Sequence, residues 1–402
     1  MEPEWLLLLL PVAAASGWFA SNSLSFPWRK RNRIPSIYLQ GINYLLNEQH
    51  DKAIELFLDM LEVDSETIEI HMTLGNLYRR RGEIERATLI HENLIDRSDL
   101  TAEQKKNAFF ELGYDFFTAG ILDRAERIFT ELAEDSRFQE PAYEALRDIY
   151  EQEKEWDKCL AVTNKLNRSS SKDYSALIAQ YYCEKAEEAI REGRYDLAEE
   201  NIKESLSFDH NCVRAILQSG RVKAIRGEHE TAISIWRSLE QKNPKYVLET
   251  VDLVAESYTA IHQISELAEF LRVIAEATSD TELAVAYVDA LEAQNKDERA
   301  SQYLIEWIRS HPSLHCLHRL ILLKLKESEG KRPSTDFMLI ETLIRREMDS
   351  ARHYACLRCG YTVKTLHWQC PGCRGWNTIM ATRSTALPNA NKKELSPPLY
   401  GR

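Results

Sequence analysis

Cys356, Cys359, Cys370 and Cys373 stand in C-x2-C-x10-C-x2-C spacing inside the segment SARHYACLRCGYTVKTLHWQCPGCRGWNTI, residues 350–379. Each C-x2-C half is a tight turn whose backbone N–H groups can point at the sulfurs. Gly360 follows the first half and Pro371-Gly372 sits inside the second, residues suited to positive φ or a pre-set turn. Four thiolates at the corners of a tetrahedron suit Zn²⁺ or a single iron, so these four cysteines are the predicted ligands of one metal ion. His353 and His367 lie nearby, but four sulfurs already complete such a site and both are left outside it.

No second chemistry is legible. The 11 histidines are scattered, with no HExxH, GxSxG or P-loop pattern. The chain therefore reads as non-enzymatic, with no catalytic residues and no organic cofactor. The ten-residue gap between the cysteine pairs is short for a zinc ribbon, so the hairpin joining them must be small. A module below about 40 residues cannot hold itself together by burial alone, and metal binding is expected to supply much of its folding energy. Trp368 and Trp376 are expected to pack over the metal or against the helix predicted at 335–348. Clamping of this module onto the last helices is the expected role of the metal. The CPGC half resembles the knuckle of rubredoxin, which keeps iron beside zinc as a candidate.

The chain has 402 residues, with 51 Lys+Arg against 63 Asp+Glu, a net charge of −12. That balance argues against a nucleic-acid coat, which needs a clustered positive surface. Hydrophobic residues make up 44%, enough for a sizeable core, and only 14 Gly and 12 Pro argue against a sandwich or barrel. The chain is predicted to be all-α. Cys159, Cys183, Cys212 and Cys316 are widely separated and read as small buried hydrophobes in a reducing compartment.

A period of 34 residues supplies the scaffold. Gly41 and Gly75 are 34 apart, as are Ala53 and Ala87; Ala186 with Gly220, and Ala198 with Ala232, repeat the spacing. Small residues recur where two helices approach closely, and large apolar ones follow four later at Phe57, Phe129, Ile202 and Trp236. Leu74-Gly75-Asn76-Leu77-Tyr78, then Gly82 and Ala87, match the tetratricopeptide pattern. Units are expected near Ile34, Ile68, Lys106, Pro141, Ala179 and Val213, with degenerate ones at 247–277, 281–311 and 313–329. Such stacks present an extended groove for peptides or protein surfaces. His71, His91, His210, His229 and His262 read as surface or packing residues, and Tyr181-Tyr182 and Phe109-Phe110 as packing rather than groove aromatics.

At the other end, Trp5 to Ala20 reads WLLLLLPVAAASGWFA without a charge, and Arg29, Lys30, Arg31 and Arg33 follow as a basic stop. Positive charge after the apolar run, rather than before it, favours an uncleaved anchor with its N-terminus outside and the remainder cytoplasmic. The predicted organisation is an anchor at 1–28, a basic juxtamembrane linker at 29–36 and the repeat array at 37–329. A connecting helix at 330–349, the rubredoxin-like metal-binding domain at 350–382 and a polar disordered tail at 383–402 complete it.

This order of parts resembles the lipopolysaccharide assembly protein B family. The resemblance rests on the WLLLLLPVAAASGWF anchor, the YLQGINYLLNEQHDKAIELF first repeat, and CLRCGY with CPGC near the end, and covers nearly the full length. It implies a single-span inner-membrane adaptor that limits lipopolysaccharide output. Such an adaptor presents the deacetylase committing lipid A synthesis (LpxC) to a membrane AAA protease (FtsH), alongside other lipopolysaccharide assembly or sensing membrane proteins. The family's metal ligands map onto Cys356, Cys359, Cys370 and Cys373. Homo-oligomerisation stays open. Two alternatives also stay open: rubredoxin-like electron transfer on a repeat scaffold, and a nucleic-acid-binding knuckle using Arg352, Arg358, Lys364, Arg374 and Arg383.

Overall fold

The computed structural model describes residues 68–327, 335–350 and 354–382, with a few positions between 40 and 52. The expected anchor (1–28), basic linker (29–36) and polar tail (383–402) lie outside the described residues. Among the described residues no helix is long and apolar enough to cross a membrane. The chain divides into two compact units, the first ending at Ile149 and the second starting at Tyr150.

The first unit contains helices α1 (Ile68–Arg80), α2 (Ile84–Asp96), α3 (Ala102–Thr118) and α4 (Leu122–Leu132), and the start of α5 (Gln139–Glu153). Gly82 and Gly120, at φ 83° and 77°, turn the chain after α1 and α3 in a conformation that a side chain would strain. Thr101 opens α3 with a capping box: its hydroxyl accepts from the Gln104 amide at 3.2 Å while the Gln104 side chain accepts from the Thr101 amide at 2.9 Å. Phe110 does pack, edge-on to Phe129 at 5.5 Å. His91, read from sequence as a surface or packing residue, is fully buried on α2, its Nδ1 2.5 Å from Asp115 Oδ2 on α3. Arg79 donates to the other Asp115 oxygen at 2.8 Å and pairs with Glu111. A buried carboxylate persists only when paired in this way.

The second unit continues with α6 (Trp156–Ser169), α7 (Ser175–Arg191), α8 (Tyr195–Phe208), α9 (Val213–Ile225) and α10 (His229–Arg237). The short α11 (Leu239–Lys242) follows, then a 3₁₀ turn (Pro244–Thr250), α12 (Val251–Ala260), α13 (Ile264–Thr278), α14 (Thr281–Glu292), α15 (Asp297–Ser310), α16 (Leu314–Glu327) and α17 (Thr335–Ser350). The small residues of the period are buried where expected: Ala186, Ala198 and Ala232 are all 0% exposed. The reason is visible at Gly220 on α9, where a Cβ would stand 2.2 Å from Nε1 of the buried Trp236 on α10. That indole N–H donates to the Leu217 carbonyl at 3.1 Å, which fixes the ring against the glycine. The degenerate repeats fold as helix pairs as well, and one continuous apolar cluster runs from Ala232 through Leu271, Leu283 and Leu304 to Leu323.

The acidic run on α7 is less solvated than its composition suggests. Glu184 pairs with Arg214 at 2.7 Å, Glu187 with Arg221 at 3.2 Å, and Glu188 accepts from the Trp156 indole at 3.0 Å. Each contact joins residues 30 to 34 positions apart, linking one repeat to the next.

Gly220→Ala tests the close approach. Helix propensity alone would favour alanine by about 1 kcal/mol, but overpacking against an indole that cannot retreat costs about 1–3 kcal/mol. Urea unfolding should show a net loss of up to about 2 kcal/mol; a gain of the full helix-propensity increment would contradict the interlock.

Candidate metal centre

Three short strands build the centre: β1 (Tyr354–Cys356), β2 (Thr362–Val363) and β3 (Ile379–Ala381), antiparallel in the order β2-β1-β3. Tyr354 pairs with Val363 on one side, and Cys356 with Ile379 on the other. The two cysteine turns are closed alike. The Cys356 amide donates to the Tyr361 carbonyl at 2.8 Å, and the Cys370 amide to the Gly375 carbonyl at 2.9 Å. Gly360 and Arg374, each following the second cysteine of its pair, take positive φ of 74° and 55°. Glycine predicts the first turn; the second is made with an arginine held there by its Arg374 N–H to Cys370 carbonyl bond of 2.8 Å.

The four sulfurs lie within 4.8 Å of one another, with Cys356 and Cys373 at 3.7 Å and Cys359 and Cys370 at 3.7 Å. Cys356 and Cys370 are buried in a small cluster with Ile379, Tyr354, Val363 and Leu366, and Cys359 is exposed. Thr378 Oγ1 sits 3.3 Å from Cys356 Sγ, and the Arg358 amide donates to the same sulfur at 3.4 Å. Burial opposes ionisation of Cys356, yet Thr378 and the amides of Cys359 and Arg358 bring its thiol down to about 6. Cys359 goes the other way, raised to about 12: the Tyr361 amide lowers it, but the neighbouring thiols of Cys356, Cys370 and Cys373 prevail. Metal ligation requires the thiolate form, so binding of a cation to this set releases protons. A soft, acceptor-only set of four sulfurs fits zinc or iron, and Cys356, Cys359, Cys370 and Cys373 are positioned to bind one such ion.

The module is seated on the middle of the array, not clamped on the last helices as expected: Trp368 and Trp376, expected over the metal or against the helix at 335–348, meet array residues between 151 and 249. Trp376 meets Tyr181 of α7 at 5.9 Å and Trp156 of α6 at 6.4 Å, both edge-on. Its Nε1 donates to Glu151 Oε1 at 3.1 Å, and Gln369 donates to Glu151 Oε2 at 2.9 Å. The Tyr181 hydroxyl donates to the same carboxylate, and Arg374 reaches Gln152 at 3.1 Å. Trp368 stacks on Tyr246 at 6.0 Å and joins the cluster of Val213, Ile216 and Leu239. Tyr354 donates to Glu249 at 2.7 Å. A buried indole N–H needs an acceptor, and Glu151 supplies it from a position 225 residues earlier. Periodicity marks Glu151 as one more polar helix position, so nothing in the local sequence identifies it. His367 lies 3.4 Å from Thr365 Oγ1, outside the sulfur set.

The rubredoxin metal binding domain family matches residues 354–381, the strands and both cysteine turns. Lipopolysaccharide assembly protein B of Escherichia coli K12 is 35% identical over 382 residues, 94% of this chain and 98% of that protein. The protein of the same name from Haemophilus influenzae is 31% identical over 386 residues, 94% and 97% of the two chains. The chain belongs to the lipopolysaccharide assembly protein B family. A solved tetratricopeptide repeat protein from Parabacteroides merdae aligns with 65% of the chain at 16% identity and a TM-score of 0.32, a distant likeness beside the full-length kinship with this family.

Two substitutions probe the seat. Trp376→Ala should remove about 3 kcal/mol of docking energy and speed amide exchange across 366–380, while bound zinc stays stoichiometric. Loss of zinc together with docking would mean that the indole supports the centre itself. At the second, burial raises the Glu249 carboxyl above its ordinary range, against the lowering by the Tyr354 hydrogen bond. The folded chain holds this proton to higher pH than the unfolded chain. Its contribution to stability therefore falls as pH rises from the ordinary carboxyl range through the raised value. Glu249→Gln keeps an oxygen for Tyr354 and should flatten that decline when urea unfolding is followed from about pH 4.5 to 8; an unchanged slope would place the titration elsewhere.

Proposed function

We propose that this protein is a non-enzymatic regulator of lipopolysaccharide synthesis, a membrane-tethered adaptor that brings a client enzyme to a membrane protease. The observation that carries the reading is kinship over 94% of the chain with proteins named for lipopolysaccharide assembly. Stacked helix pairs of this kind present long surfaces for other proteins, and the metal-binding module held on them by Glu151 and Glu249 adds a second, shaped surface. Residues 1–28 serve as the single-span anchor, with a periplasmic N-terminus and the basic linker 29–36 at the cytoplasmic face of the inner membrane. The array at 37–329, the connecting helix at 330–349 and the metal-binding domain at 350–382 hold the client, and 383–402 forms the tail. Cys356, Cys359, Cys370 and Cys373 ligate the metal.

The client is the deacetylase that commits lipid A synthesis, and the protease is a membrane AAA enzyme. Tethering confines the captured client near the membrane and raises its effective concentration for a protease in the same plane. Bound metal supplies rigidity rather than reactivity: it fixes the two cysteine turns, and the turns in turn present Trp376 and Gln369 to Glu151.

The test is a detergent pull-down of the tagged full chain with mass spectrometry, beside a version starting at Arg29. Recovery of the membrane protease and the deacetylase, with the protease lost or weakened without the anchor, supports the adaptor. Recovery of only a reductase or of ribosomes would sink it. Cys356→Ser should lose metal, free the module from Glu151 and weaken client capture; normal client degradation by a metal-free variant would remove the metal from the mechanism.

A further inference from the structure

Cys183 and Cys212, which the sequence offers only as two scattered hydrophobes, face each other in the second unit. Their Sγ atoms are 3.7 Å apart, on residues 29 positions apart in the chain. Cys183 lies on α7, and Cys212 is the residue capping the start of α9. Both are buried, at 0% and 2% exposure. They lie in an apolar cluster with Ala179, Ala186, Ile202 and Ala215, but each sulfur also has a polar neighbour. Gln180 Nε2 is 3.5 Å from Cys212 Sγ, and Ser205 Oγ is 3.3 Å from Cys183 Sγ. Ser205 gives its hydrogen to the Ala179 carbonyl at 2.9 Å.

We propose that Cys183 and Cys212 form an oxidisable dithiol that a small hydroperoxide converts to a disulfide, stapling α7 to the head of α9. The arrangement assigns the two sulfurs different parts. Cys212 sits at a helix N-terminus with an amide donor beside it, a setting that favours thiolate. The hydrogen bond from Cys183 above all brings Cys212 down to about 7, whereas burial pushes Cys183 well up. The Cys212 thiolate attacks one peroxide oxygen and the O–O bond breaks; the departing hydroxide takes up a proton as water, leaving Cys212 as a sulfenic acid. The Cys183 sulfur then attacks the Cys212 sulfur, the S–O bond breaks, and the hydroxyl leaves with the Cys183 proton as a second water. Two electrons pass from the two thiols to the peroxide. The sulfurs need close only from 3.7 Å to about 2.05 Å.

The position gives the bond a consequence. Tyr181, two residues before Cys183, holds Trp376, and Val213, next to Cys212, belongs to the cluster that receives Trp368. A staple between Cys183 and Cys212 would join the two array segments on which both tryptophans of the metal-binding module rest.

The experiment treats the zinc-loaded full chain with hydrogen peroxide, blocks free thiols with N-ethylmaleimide after denaturation, and maps peptides without reduction. The expected result is a Cys183–Cys212 linked peptide, reversed by dithiothreitol, formed at least about tenfold faster than oxidation of Cys159 or Cys316. Cys316, whose thiol burial raises to about 12, is the internal reference for an inert buried cysteine. In Cys183→Ser, Cys212 should be trapped as a dimedone-reactive sulfenic acid, and Cys212→Ser should yield no such product at Cys183. Blocking of both thiols by N-ethylmaleimide at peroxide levels that already oxidise the four metal-site cysteines would overturn the proposal. Equal trapping at either cysteine would overturn the assignment of parts. The wild-type peptide map decides the first point without reliance on a variant that fails to fold.

Discussion

A helix pair in this chain cannot cover its own apolar face, and the architecture follows from that. Each pair is completed by the next, so the core is a succession of interfaces rather than a single centre. Close approach within a pair needs a small residue opposite a large one, as at Gly220 and Trp236. Between repeats, polar contacts such as Glu184 with Arg214 recur at intervals near the repeat length. The degenerate C-terminal repeats obey the same rule without the signature residues, because Leu271, Leu283 and Leu304 fill the same space by volume rather than by identity.

The metal-binding module is the extreme case of an element that cannot stand alone. Its own apolar cluster is small, built around Cys356, Cys370 and Ile379. It is completed twice over: from inside by four sulfurs positioned for an ion, and from outside by the array. Glu151 is central to the outer half, since one carboxylate accepts from Trp376, Gln369 and Tyr181 at once. Truncating it would leave the half-buried Trp376 indole N–H without this acceptor, while Gln369 would keep its bond to the Arg374 carbonyl at 3.2 Å.

Polar groups inside the array mark the places where local pattern and tertiary environment part company. His91 occupies a buried position opposite Gly75 and is tolerated because Asp115 meets its ring nitrogen and Arg79 balances Asp115. Cys183 and Cys212 carry polar partners that a purely apolar filler would not need. Both clusters bring together residues from separate helices.

The amino-acid sequence alone determined the helical repeat, the position of its small residues and the four-cysteine turns, since each of these is written in spacing of a few to 34 residues. Turn geometry and helix periodicity are local, and residue type decides them. Tertiary structure alone decided where the metal-binding module rests: Trp376 finds its acceptor 225 residues away, on Glu151, rather than on the neighbouring α17. It likewise decided that Cys183 and Cys212 meet and that His91 is paired. A side chain's partner across the stack depends on how successive helix pairs rotate against one another, and that sum of small packing angles leaves no trace in local sequence.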